Sequence, residues 1–158
     1  KVIEVYKNNP DVAIICGNIM LIDSKGNNIK EVKANSISYE YLLNNNPDVN
    51  QQGSFYNADL LKKVGYLDEN IHYTMDYDLW LRLLKEEDSI IIINDILSSF
   101  RLHNQSKTSG GGTFFKFWNN IFQIRKEKHG CRGIKKIHFV YSYRIIKAIF
   151  RKVLNKNI

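Results

Sequence analysis

Met75-Asp-Tyr-Asp-Leu-Trp-Leu-Arg-Leu83, followed by Ser89-Ile-Ile-Ile-Ile93 and Ile96–Leu102, is the stretch whose reading decides the fold class. Its first part places Leu79, Trp80 and Leu83 at helical spacing and predicts a helix opened by Asp76 and running to Lys85 or Glu86. Its second part is β-branched and predicts two strands, Ser89–Ile93 and Ile96–Leu102. Upstream, Gln51–Asn57 reads as extended. Asn57 then caps a helix over Ala58–Val64, which Gly65 terminates, and Tyr66–Thr74 is loop. Further upstream, Lys1–Asn8 reads as the end of a helix, with Val2, Val5 and Tyr6 on one face and Asn9-Pro10-Asp11 stopping it. Val12–Cys16 and Gly17–Ile22 read as two extended stretches, Asp23–Asn27 as a turn and Ile29–Lys33 as a returning strand. Ile37–Leu43 reads as a short helix. Downstream, Asn104–Thr113 with its three glycines reads as a mobile loop, and Thr113–Lys128 as a helix ended by Gly130. Strands alternating with helices indicate an α/β fold.

The 158 residues suffice for one real core, and 44% hydrophobic with 25% charged residues is a globular composition. No apolar run approaches the ~20 residues needed to cross a bilayer. Cys16 and Cys131 are isolated, which gives no zinc spacing and suits a reducing compartment. The net charge of +7 is concentrated at one end: residues 134–158 hold seven Lys/Arg and no acid, while residues 1–133 are neutral. Ile146, Ile149, Phe150 and Val153 share a helical face there, and Arg144, Lys147 and Arg151 line another. That pattern fits a terminal helix packed on its own domain, or a basic amphipathic helix lying on an anionic membrane. A neutral body argues against a nucleic-acid surface built into the fold.

A carboxylate at a helix N-terminus is stabilised in its charged form by free backbone N–H groups and the helix dipole. Asp76 therefore suits proton abstraction, although a plain N-cap is the simpler reading of these residues alone. Asp76-Tyr-Asp78 is a literal D-x-D. It opens a helix instead of following a strand, and Asp78 has Arg82 four residues on as an ion-pair partner. Arg101 and His103 alternate, so on one strand they share a face. Arg can grip a diphosphate, and His can donate to one or ligate a metal. Trp80 and Trp118 read as core aromatics.

Gln51-Gln-Gly-Ser-Phe-Tyr56, Val64-Gly-Tyr-Leu-Asp68, Met75–Leu83 and Phe100-Arg-Leu-His103 with Ser106-Lys107 stand in order. Together they resemble the C-terminal half of the family 2 glycosyltransferases, inverting nucleotide-sugar enzymes of the GT-A fold. The family pattern runs roughly Q-x-S-F-F, a helix, V-G-x-x-D, E-D-x-D-L-W-x-R-L, then a strand ending R-x-H-x-x-S. The similarity extends from about Asn9 to about Lys128.

The resemblance implies the C-terminal portion of a GT-A (Rossmann-like) fold, with short mixed strands, C-terminal helices and an N-terminal nucleotide-binding half lying outside this chain. It implies an acceptor and catalytic half at 1–105, a flexible loop and helix at 106–133 and the basic amphipathic helix at 134–158. Asp76 matches the general base, with Met75 where the family has Glu. Arg101, His103, Ser106 and Lys107 match the diphosphate contacts, and Gln52, Gly53, Ser54 and Asp78 the acceptor and sugar pocket. A divalent Mg or Mn ion would be held mainly by a D-x-D upstream of Lys1, with His103 as a possible extra ligand. The implied partners are a nucleotide-sugar donor and a glycan or lipid-linked acceptor, in cell-surface polysaccharide or glycan synthesis. The implied place is the cytoplasm or the inner face of the membrane, and the wealth of Asn, Ile and Lys suits an AT-rich bacterial genome. By itself the 158-residue piece is expected to be inactive. The alternative from a different class is a non-catalytic module that binds anionic membrane or nucleic acid through its basic helix.

Overall fold

The computed structural model describes residues 1–45, 50–102 and 111–130. It divides into two units, Lys1–Ile121 and Phe122–Ile158. The first unit is mixed α/β. Its elements in order are α1 (Val2–Asn8), β1 (Ile14–Ile22), β2 (Asn28–Val32), α2 (Tyr39–Asn44), a 3-10 turn (Gln51–Gly53), β3 (Ser54–Tyr56), α3 (Ala58–Lys63), α4 (Met75–Glu86), β4 (Ile90–Arg101) and α5 (Gly111–Gln123). A π turn, Ile124–Lys128, continues α5 and ends before Gly130, whose φ is +61°. The expected helix over Thr113–Lys128 is thus an α-helix that widens at its end. The expected helix within 134–158 lies outside the described residues.

β1 is the centre of a mixed sheet. β4 runs parallel to it along its whole length, from Ile14 opposite Ile90 to Ile22 opposite Arg101. The other edge of β1 is shared by two antiparallel strands. β3 takes its first part, with Ile14 opposite Tyr56, and β2 takes its last, with Ile19 opposite Val32. A strand covered on both edges reads as a near-continuous apolar run, and Val12 to Cys16 are all buried.

Two expected breaks prove to be irregularities within continuous strands. Gly17 does not separate two stretches, and Asn94-Asp95 does not split β4. Instead β4 bulges there: Gly17 pairs with Ile93, Asn18 with Ile96 and Ile19 with Ser98. The bulge brings Leu97 over Gly17, where a Cβ would lie 2.4 Å from Leu97 Cγ and Cδ1. Only a residue without a side chain fits under it.

Val2 and Val5 of α1 pack on Val12, Ile15 and Ile93, as their spacing predicts. Tyr6, expected on the same face, is exposed. α2 starts later than expected because Ser38 caps it, its Oγ accepting from Tyr41 N at 3.1 Å. Ile37 and Leu42 are both buried at the N′ and N4 positions, the arrangement of a hydrophobic staple. α4 is the most deeply set helix. Tyr77 through Leu81, Leu83 and Leu84 are all buried, and the Tyr77 hydroxyl donates to Leu42 O of α2 at 2.7 Å.

Candidate active site

The head of α4 carries Asp76, the expected base. Thr74, not Asp76, is the N-cap, and Asp76 is the second residue of the helix. Its Oδ1 accepts from Tyr77 N at 2.8 Å. The helix terminus was expected to keep this carboxylate readily ionised. Burial instead pushes its pKa up, and the backbone N–H groups of Tyr77 and of Asp76 itself pull only partly against that. The side chain is half-buried, so the group keeps access to solvent. Once ionised, a carboxylate of raised proton affinity is a stronger base than a free one.

Asp76 and Trp80 are four residues apart and share a face of α4. Trp80 is buried, as expected of a core aromatic, and its Nε1 donates to the Tyr56 hydroxyl at 2.8 Å. Tyr56 thereby joins β3 to the Asp76 face. Burial raises its phenol pKa, and the charge of Asp76 adds to the rise. Ser54, two residues before Tyr56, lies on the same strand face. Its Oγ donates to Asn50 O at 2.9 Å and lies 3.4 Å from Cys16 Sγ. Cys16 is buried, and that burial raises its thiol pKa. Tyr56 therefore links the strand that follows the Gln-Gly-Ser segment to the Asp76–Trp80 face of α4.

The other expected residues are placed differently. Gln52 is exposed. Gly53 is buried against β1, where a Cβ would lie 2.6 Å from Gly17 O and 3.0 Å from Ile19 Cγ2, so backbone contact already demands glycine there. Asp78 is wholly buried. Side chains two residues apart on a helix diverge by roughly 200°, so Asp78 faces away from Asp76. Its Oδ2 accepts from Arg82 Nε at 2.8 Å. The same guanidinium donates to Val64 O at 2.5 Å and Tyr66 O at 2.7 Å. It thus holds the chain where Gly65 and Tyr66 take φ values of +81° and +60°. Arg101 ends β4 at the opposite end of β1 from Tyr56. Its Nη1 donates to Asp23 O and Ser24 O, each at 3.1 Å. His103, Ser106 and Lys107 lie outside the described residues.

Sequence reasoning missed Tyr56 and Asn50. The i, i+2 alternation of Ser54 and Tyr56 was the available signal, since it puts both hydroxyls on one face. The loop just ahead of Asp76 is rich in Tyr and His, and its rings pack on each other. The rings of His72 and Tyr73 meet edge-on at 4.8 Å, and Lys116 Nζ stands 5.8 Å from the centre of Tyr73. Among the described residues no three His, Cys, Asp or Glu side chains gather in a way that would hold a metal ion. None of the described helices is long and apolar enough to cross a membrane.

No protein-family model matches the chain. Two curated proteins do. One, from Methanocaldococcus jannaschii and named an uncharacterized glycosyltransferase, is 24% identical over 95% of this chain. The other, from Rickettsia typhi and also named an uncharacterized glycosyltransferase, is 30% identical over 64% of this chain. The matched regions cover 53% and 33% of those proteins, so the chain spans about half the length of the first and a third of the second. The sequence is therefore similar to glycosyltransferases, and the similarity takes in the α4 head together with the sheet that carries it.

Proposed function

We propose that this chain is the acceptor-side, catalytic part of an inverting glycosyltransferase of the family 2 type, built on a GT-A fold. The observation that carries the reading is the Asp76 carboxylate: half-buried, raised in proton affinity and set on a packed helix. In the proposed reaction Asp76 takes the proton of an acceptor hydroxyl. The hydroxyl oxygen forms a bond to the anomeric carbon of a nucleotide sugar. The bond to the diphosphate breaks on the opposite side, so the configuration inverts and the nucleoside diphosphate leaves with the electron pair.

His103, Ser106 and Lys107 are assigned to that diphosphate, as is Arg101 by its place in the R-x-H pattern, although its Nη1 is bonded to the Asp23 and Ser24 carbonyls at the other end of β1 from Tyr56. Gln52, Gly53 and Ser54 are assigned to the acceptor side, and the place of Ser54 on the strand face of Tyr56 supports that assignment for Ser54. A divalent Mg or Mn ion, held mainly outside this chain, would neutralise charge on the leaving group. Among the described residues no three His, Cys, Asp or Glu side chains gather as a donor set for it. The acceptor is a glycan or a lipid-linked sugar. The cationic 134–158 segment would bring the enzyme to the cytoplasmic face of an anionic membrane, a placement supported by the charge segregation alone.

The test is Asp76→Asn in the full-length protein, with nucleotide-sugar binding and sugar transfer measured together. A general base contributes about 10²–10⁴-fold, so transfer falls by that factor while donor binding stays at the parent level. Transfer at the parent rate overturns the assignment.

A further inference from the structure

Two hydrogen bonds tie the strand beside Asp76 to its neighbours, and the donors available set their direction. Trp80 Nε1 can only donate, and it donates to the Tyr56 hydroxyl at 2.8 Å. Ser54 has a single hydroxyl hydrogen, and Asn50 O at 2.9 Å is the better acceptor for it than Cys16 Sγ at 3.4 Å. Asn50 Nδ2 in turn donates to Val32 O at 3.2 Å. The Trp80–Tyr56 bond thus ties α4 to β3, while the Ser54–Asn50 and Asn50–Val32 bonds tie β3 to the Gln51–Gly53 turn and to the end of β2. Tyr56 acts on the helical face that Asp76 shares with Trp80.

We infer that Tyr56 is a positioning residue: its hydroxyl holds the Asp76–Trp80 face of α4 against β3, so that the Asp76 carboxylate stays aimed at the incoming hydroxyl. The inference rests on the proposed transfer reaction. It also makes a claim that is independent of that reaction, namely that Tyr56 and Asp76 are coupled. One neutral hydrogen bond contributes little to overall stability, whereas a displaced reacting group can cost as much as 10²-fold in rate.

The experiment is Tyr56→Phe in the full-length protein, with Tyr66→Phe, an exposed tyrosine outside these bonds, as control. Transfer by Tyr56→Phe drops about tenfold or more in kcat while the donor KM stays within about twofold, a split that loss of fold would not give. The carbon-13 titration of the Asp76 carboxyl, followed by NMR, shifts its midpoint in Tyr56→Phe and not in Tyr66→Phe. Parent kcat together with an unmoved Asp76 midpoint in Tyr56→Phe overturns the inference. A parent protein that transfers no sugar, but whose Asp76 midpoint moves in Tyr56→Phe, sinks the transferase reading and leaves the coupling standing.

Discussion

Asp76 and Asp78 stand two residues apart in the first turn of one helix and meet opposite fates. Asp78 is fully buried and pairs with Arg82, which extends its grip to the Val64 and Tyr66 carbonyls. Asp76 keeps partial access to solvent, has no cationic partner among the described residues, and is raised in pKa by burial. The difference is one of supply: Arg82 lies one turn after Asp78, while the residue in the same place after Asp76 is Trp80, whose N–H goes to Tyr56. One side of α4 is built to hold a charge still. The other leaves a carboxylate under-compensated, the condition in which it reacts with protons.

The sharpest way to break that contrast is to exchange the fates. Asp76→Asn removes the reactive group and is expected to slow transfer 10²–10⁴-fold, about 3–5 kcal/mol at the transition state. The same change stabilises the fold at neutral pH. A carboxyl whose folded pKa lies above its unfolded value favours folding fully below the unfolded pKa, and that contribution is lost as pH rises through the folded pKa. Melting temperatures of parent and Asp76→Asn should therefore differ most at neutral pH and converge on acidification. An equal gap at all pH values would show that Asp76 is not desolvated. The rate follows the opposite course. kcat/KM falls on acidification through a value above the ordinary ~3.9 of an aspartate, because the base must be ionised.

Asp78→Ala tests the structural side. Removing one partner of a buried pair leaves Arg82 uncompensated, and denaturant unfolding should show a loss of about 3–5 kcal/mol. Gly53→Ala probes the floor beneath the site. Its Cβ would meet the Gly17 carbonyl, which is backbone and cannot swing away, so about 1–3 kcal/mol of stability is lost. Gly17→Ala meets the Leu97 side chain instead, and Gly17→Ala with Leu97→Ala should recover part of the loss. The smallest effect belongs to Lys63–Glu86. This pair is exposed in water, although Lys63 holds the Glu86 carboxyl below its usual pKa, and Glu86→Gln should leave the melting temperature where it was.

Much of the fold was legible because it rests on local signals. Asn57 caps α3 through Asp59 N and Leu60 N, Gly65 ends it at positive φ, and Arg82 sits at i+4 to pair with Asp78. The breaks at Gly17 and Asn94-Asp95 misled for the opposite reason. Glycine and Asn-Asp signal turns locally, but here the parallel pairing of β1 with β4 absorbs the extra residues as a bulge. The site was half legible. Asp76 stood out by its place at the head of a helix, but its raised pKa was not readable there. Local reasoning weighs the helix dipole and the backbone N–H groups, and burial depends on which strands pack overhead.

The amino-acid order by itself determined where helices and strands would form, which residue caps them and that a carboxylate would stand at the head of α4. Those choices depend on neighbours within about four positions, so they survive without any fold. Tertiary structure alone decided that Asp76 is desolvated, that Tyr56 reaches Trp80 across 24 residues of chain, and that Arg101 lies at the other end of β1. Burial and cross-strand register are properties of segments distant in sequence, and they exist only once the sheet has closed around β1.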